Sequence, residues 1–291
     1  MKQKYPYLII LLLVVSIANC QKKKKVTNDF THELIYKVVN RDTLKLQIYN
    51  PSNFDAEKKY PTIVFYFGGG WNGGSIYQFK DQALYFNSRG MIAVLVDYRV
   101  KSRHKTTPFE SVKDAKSAIR FLKSNASKYG IDINKIVASG GSAGGHLAAA
   151  TSLLEGINET TDDLSVSPKV NALVLFNPVI DNGPNPTAFE YERINRRYQE
   201  FSPIHNIKTG APPTIFFLGS KDKLIPVSTA YEYKNRMESV NSKCEVFIYE
   251  NQPHGFFNKG KQKGDRCYIE TVRETDVFLE SLGIIKGKPT I

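Results

Sequence analysis

The chain has 291 residues, 41% of them hydrophobic and 12% aromatic. That is enough to bury one substantial core within a single α/β domain, and it excludes a disordered chain. The formal net charge is +12, but the lysines are spread along the sequence with no alternation of basic and aromatic residues for stacking bases, so the charge reads as a solvated surface and not as a nucleic-acid footprint.

Residues 1–20 read as a targeting segment. Lys2 and Lys4 are followed by an apolar stretch from Leu8 to Ala18, too short to span a bilayer and suited to a signal peptide. The segment ends at Ile17-Ala18-Asn19-Cys20, which resembles a bacterial lipobox with Cys20 as the lipidated residue. Asn19 departs from the usual small residue, and Ser16-x-Ala18 leaves open an ordinary cleavage site. Residues 21–30 form a basic tether. The expectation is an exported protein, either a periplasmic or outer-membrane lipoprotein held only by its lipid, or a secreted one. Cys244 and Cys267 remain, and sequence leaves their pairing open. No spacing resembles a metal site, and no motif calls for a cofactor.

Segments 33–39 and 43–50 read as two strands joined by Asn40-Arg41-Asp42. Runs at 62–67, 91–96, 136–139, 170–176, 214–218 and 245–249 are apolar at nearly every position, as strands buried on both faces of a parallel sheet should be. Helical patterns fall at 111–128, 143–154, 226–240 and 265–282. Together they predict a doubly wound, mostly parallel eight-stranded sheet with an antiparallel edge, occupying residues 31–285. Residues 180–203, rich in Pro, Asn, Arg and Tyr, read as a short cap insertion over the C-terminal edge of the sheet, where ligands bind in this architecture.

Gly140-Gly141-Ser142-Ala143-Gly144 matches G-x-S-x-G between a strand run and a helical run. That context makes Ser142 the candidate nucleophile on a sharp turn, with the Ala143 N–H at the start of the helix. The motif predicts an acid and then a histidine further along the chain. Asp222 and His254 each lie just past a strand run, in that order. His254 would take the proton of Ser142 and pass it to a leaving alcohol, while Asp222 fixes the imidazole tautomer. Phe67-Gly68-Gly69-Gly70-Trp71 follows the third strand run. The N–H groups of Gly69 and Gly70 are therefore the candidates to complete an oxyanion hole with Ala143.

These motifs resemble the α/β-hydrolase superfamily, and within it the bacterial acetyl esterase and feruloyl esterase-like (BD-FAE-like) proteins related to the hormone-sensitive lipase group. The matching stretches are FGGGWNGGS, VDYR, DAKSAIRFLKSNASKYGID, ASGGSAGGHLAA, FNPVIDNGP, LGSKDKLIP and QPHGFF, in the family's order. The resemblance implies an exported esterase that removes short acyl groups, acetyl or hydroxycinnamoyl, from carbohydrate. The partner is then a small ester or an acylated oligosaccharide or polysaccharide. The lipase group usually has His where Phe67 stands, so the anchoring of the glycine loop is open.

Trp71 is a candidate substrate-binding residue walling the acyl pocket, with packing beneath the loop as the alternative. His146 reads as an orienting or packing residue, because His254 has the expected order. Asp181 is a substitute for Asp222, and Asp97 and Arg99 read as a pair bracing the end of the fourth strand. Tyr191, Arg193, Arg196, Arg197 and Tyr198 are either ligand contacts or a solvated face. Two competing functions share this core. A serine exopeptidase of the prolyl-oligopeptidase kind would carry a large extra domain that is absent here, and a non-catalytic binding protein would usually have lost one of the three residues.

Overall fold

The computed structural model describes residues 31–184 and 189–291. The export segment, Cys20 and the basic tether lie outside the described residues.

A hairpin opens the fold. β1 (His32–Val39) and β2 (Asp42–Tyr49) pair antiparallel around Asn40, whose φ of 55° suits a tight turn. Six strands follow: β3 (Tyr60–Tyr66), β4 (Ile92–Val96), β5 (Ile131–Gly141), β6 (Ala172–Phe176), β7 (Thr214–Gly219) and β8 (Cys244–Tyr249). The order across the sheet is β1-β2-β4-β3-β5-β6-β7-β8. Within this sheet the β1–β2 and β2–β4 pairings are antiparallel and the other five are parallel, so β2 runs against the remaining strands. This is the mostly parallel eight-stranded sheet that the pattern of apolar runs predicts, and its strand order agrees with what the resemblance implies.

Among the described residues there are eight α-helices: α1 (Lys80–Ser88), α2 (Lys101–His104), α3 (Pro108–Ser124), α4 (Ala126–Tyr129), α5 (Ala143–Leu153), α6 (Tyr198–Phe201), α7 (Val227–Ser239) and α8 (Arg266–Ser281). Strand alternation divides the core into two layers. Val64, Val94, Ala138 and Leu173 face α3, α5 and α7 through Val112, Ile119, Leu147 and Tyr233. Ile63, Leu95, Val137 and Ile215 face α1 and α8 through Phe86, Val272 and Leu279.

Several boundaries differ from the sequence reading. α3 begins at Pro108, not Ser111, because Glu110 accepts from the Thr107 N–H at 2.9 Å and closes a capping box. Its run ends early at Asn125, whose amide donates back to the Phe121 carbonyl at 2.9 Å. β5 starts five residues sooner than expected, since Ile131 pairs with Tyr60 across an irregular register. Cys244 on β8 and Cys267 on α8 are both buried and unpaired.

Arg99 does not pair with Asp97. It belongs to a buried ionic cluster with Lys37, Asp114 and Glu159. Asp114 accepts from Lys37 Nζ at 2.7 Å, from Arg99 Nη2 and Nε at 2.8 Å each, and from the Arg99 backbone N–H at 2.9 Å. Asp97 pairs instead with Arg103 at 2.6 Å, at the surface.

Candidate active site

β5 ends at Gly141 and α5 begins at Ala143, which leaves Ser142 alone on the turn with φ 56° and ψ −121°. That conformation is sparsely populated for a residue with a side chain. It is held from three sides. The Ser142 N–H donates to the Phe176 carbonyl at 2.9 Å, and its carbonyl accepts from His146 and Val179, both at 3.1 Å. Close packing explains the flanking glycines. A Cβ on Gly144 would lie 2.1 Å from the Tyr66 carbonyl oxygen, and one on Gly140 would lie 2.3 Å from that of Gly144. Any larger residue at these positions pushes β3 away from the turn.

Asp222 follows β7. Its Oδ1 accepts from the N–H groups of Leu224 at 2.8 Å and Ile225 at 3.0 Å, which fixes the carboxylate. Its Oδ2 lies 2.7 Å from His254 Nδ1, and the Asp222 side chain is fully buried. The carboxylate can only accept, so Nδ1 carries the proton and the Nε2 lone pair is the accepting side of the ring, met by the Asn177 amide at 3.4 Å. Ser142 and His254 line one cavity of about 530 Å³ with Gly68, Gly69, Gly70, Phe189, Leu224 and Phe257.

The glycine loop crosses this cavity through three successive residues of positive φ: Gly69 at 128°, Gly70 at 59° and Trp71 at 53°. The N–H groups of Gly69, Gly70 and Ala143 find no acceptor among the described residues. They are donors for a negative oxygen between the loop and the start of α5. With Phe67 in place of a histidine, the loop is anchored by other means. Tyr98 stacks on Phe67 at 4.1 Å and donates its hydroxyl to the Phe67 carbonyl at 2.6 Å. Gln78 Oε1 accepts from the Gly68 N–H at 2.6 Å, and its amide donates to Asn258 at 3.2 Å.

Two polar residues at the site carried no catalytic role in the sequence reading. Asn177, at the end of β6, accepts from the Gly255 N–H at 2.9 Å and sets its amide 3.4 Å from His254 Nε2. Gln78 is the other. Asn177 stands between an apolar strand and Pro178, in the position of a functional polar residue at the sheet edge. Gln78 had no such signal.

Trp71 is corrected. It is fully buried and does not line the cavity. Its ring packs beneath the loop against His146 at 5.1 Å and Phe201 at 5.5 Å. The aromatic residues of the wall are Phe189, from the insertion, and Phe257. Asp181 is also excluded as a substitute acid. It lies 3.3 Å from His205 Nε2 and accepts from the Gly183 N–H at 2.8 Å. The insertion's other basic side chains turn elsewhere: Arg197 covers the Phe109 ring at 4.3 Å, and Arg196 pairs with Glu192.

His146 is wholly buried, and burial pushes its pKa down to about 3 despite the bond to the Phe201 carbonyl. It stays neutral, with Nε2–H donating to that carbonyl at 2.9 Å. The folded state therefore resists protonation that the unfolded chain accepts near the ordinary value of 6.5. Below that value the unfolded state binds more protons, so this contribution is present above pH 6.5 and is lost as pH falls toward 3. Denaturant midpoints should accordingly fall between pH 6.5 and 4, with a smaller slope in His146→Gln. An equal slope in both proteins would assign the acid sensitivity to other groups.

Comparison with known proteins supplies the remaining findings. The model of the BD-FAE family matches residues 46–237. Isoprenylcysteine alpha-carbonyl methylesterase ICME of Arabidopsis thaliana is 28% identical over 232 residues, covering 72% of this chain and 53% of that one. The acetylxylan esterase of Xylanibacter ruminicola is 27% identical over 206 residues, covering 65% and 39%. The chain thus spans about half the length, or less, of the curated relatives it matches. Among solved structures, Thermogutta terrifontis esterase 2 phosphonylated by sarin is 38% identical, with a TM-score of 0.85, covering 88% of this chain and 96% of that one.

Proposed function

The chain belongs to the BD-FAE family, and from that premise we propose that it is a serine carboxylesterase that cleaves short acyl esters, acetyl or hydroxycinnamoyl, on carbohydrate. The observation that carries the chemistry is the pairing of Asp222 with His254 at 2.7 Å beside a cavity that also holds Ser142 and the glycine loop.

The reaction follows from the donors and acceptors at that cavity. Ser142 Oγ attacks the ester carbonyl carbon while His254 Nε2 takes its proton. The carbonyl oxygen becomes an oxyanion held by the N–H groups of Gly69, Gly70 and Ala143. The C–O bond to the alcohol breaks, and the alcohol leaves with the proton from His254. Water then repeats the sequence on the acyl-enzyme and frees Ser142. Asp222 holds the imidazole in the tautomer with Nε2 accepting and stabilises the imidazolium.

Two features of the relatives support the substrate side. The Thermogutta esterase has propionate-bound and butyrate-bound structures, which favours a short acyl group. An acetylxylan esterase and an endo-1,4-beta-xylanase B are among the similar proteins, which favours a carbohydrate alcohol. Phe189, Leu224 and Phe257 give the cavity an apolar wall for the acyl group. Export and attachment through Cys20 complete the reading, with the catalytic domain at 31–285 and the cap at 180–203. Metabolic labelling with a radioactive fatty acid should be lost in Cys20→Ser.

The test is a panel of acetylated xylan, a feruloylated oligosaccharide, aryl acetate, a long-chain lipid ester and a dipeptide amide, compared by kcat/KM. The expected order puts the acylated carbohydrates first. A preference for the lipid ester would overturn the carbohydrate part, and a preference for the amide would favour the exopeptidase alternative.

A further inference from the structure

We propose that Arg193, from the insertion, is a positioning residue that holds the oxyanion loop in its working conformation. This rests on the reading of Gly69 and Gly70 as oxyanion donors. Arg193 Nη1 donates to the Gly70 carbonyl at 2.5 Å, and Nη2 donates to the Trp71 carbonyl at 2.9 Å. The side chain is largely buried, so these bonds are shielded from water.

The loop needs such a hold. Gly70 has no side chain to restrain it, and Trp71 is held at a φ of 53°, which L residues adopt reluctantly. The Gly69 carbonyl is fixed from inside the turn, accepting from Asn72 at 3.0 Å and Gly73 at 3.2 Å. The peptide planes after Gly70 and Trp71 are fixed by the guanidinium, although the Trp71 carbonyl also accepts from the Lys101 N–H at 2.9 Å. The Gly70 N–H lies in the preceding peptide unit, whose Gly69 carbonyl is held inside the turn. Holding the next two planes restricts rotation about the Gly70 and Trp71 backbone bonds and so keeps that unit, with its N–H, from swinging out of the cavity. A forked guanidinium spans two successive carbonyls, which a single ammonium does not.

Charge gives Arg193 a second task. Glu190 lies 3.5 Å from Arg193 Nη1, and a Cβ on Gly70 would stand 4.0 Å from Glu190 Oε1. A carboxylate so close to the loop opposes negative charge on the carbonyl oxygen during reaction. Arg193 pairs with that carboxylate and offsets its field. The insertion thus contributes an aromatic wall through Phe189 and also tunes the oxyanion hole from behind.

The test is kinetic. Arg193→Ala and Arg193→Lys are assayed on 4-nitrophenyl acetate, with kcat expressed per site labelled to completion by a fluorophosphonate. The Ala variant is expected to lose about tenfold or more in kcat with KM within about threefold, because the lost interaction acts in the transition state. Lys should recover part of the loss, and millimolar guanidinium should partly rescue the Ala variant. A kcat within about threefold of wild type, or a loss confined to KM, would overturn the inference while leaving the esterase reading intact. Wild-type activity in Ser142→Ala would instead overturn the esterase reading and this inference with it.

Discussion

Ser142→Ala is expected to lower kcat on a short-chain aryl ester by about 10⁴- to 10⁶-fold, leaving only what the oxyanion donors and binding supply. The fold should be unaffected. The turn is held by the backbone bonds of residue 142 and by the glycines at 140 and 144, none of which uses the serine hydroxyl. The loss should not add to that of a second lesion. His254→Ala and the double variant should each be about as inactive as Ser142→Ala, because nucleophile and base act as one unit. Asp222→Asn should retain its place, since its Oδ1 bonds to Leu224 and Ile225 survive, yet lose about 10⁴-fold by favouring the wrong imidazole tautomer. Circular dichroism and kcat measured together separate this pattern from unfolding. Additive losses in the double variant would mean that Ser142 and His254 do not share a step.

Asp114→Ala is expected to cost about 3–5 kcal/mol of stability, as breaking a buried ion pair does. The change leaves the buried cations Lys37 and Arg99 with Glu159 as their shared carboxylate, and Lys37 with the Ser117 hydroxyl besides. It also strips the Arg99 backbone N–H of its acceptor. For a domain of this size each kcal/mol shifts Tm by about 2–4 °C, so a fall of roughly 6–20 °C should appear in thermal unfolding. The surface pair of Lys45 and Glu33 is the control: Glu33→Gln should change stability by about 1 kcal/mol or less. Comparable effects at the two positions would show that burial does not set the worth of these pairs. The site should be secondarily affected in Asp114→Ala, because Arg99 closely follows Tyr98, the residue that anchors Phe67.

β4, β6 and β7 were legible because they are buried on both faces and almost wholly apolar, whereas β3 and β5 were legible in their buried C-terminal parts. The turn at Ser142 was legible because its close packing demands glycine at fixed positions. Asp222 and His254 were expected from their chain order, each just past a strand run, and the structure brings their side chains to 2.7 Å. The parts that sequence missed depend on distances between remote residues. Arg99 was expected to join its near neighbour Asp97 but reaches Asp114 and Glu159. Gln78 bonds to Asn258, 180 positions away, and Asn177 to Gly255, 78 positions away. No local pattern encodes such pairs. α1 was missed because it buries only Gln82, Ala83 and Phe86, too few to make an apolar stripe. Trp71 was ambiguous for a related reason. A large aromatic beside a glycine loop serves equally as wall or foundation, and its φ of 53° turns the ring inward onto His146 and Phe201.

Covalent labelling reports directly on Ser142 as the nucleophile of an ester hydrolase. The measurement that tests this role most directly is mass spectrometry of the protein inactivated by a fluorophosphonate, followed in time beside aryl ester hydrolysis. The account predicts one adduct per chain, on the peptide containing Ser142, accumulating at the rate at which activity is lost. Full activity after stoichiometric modification of Ser142, or inactivation with the adduct on another residue, would contradict it.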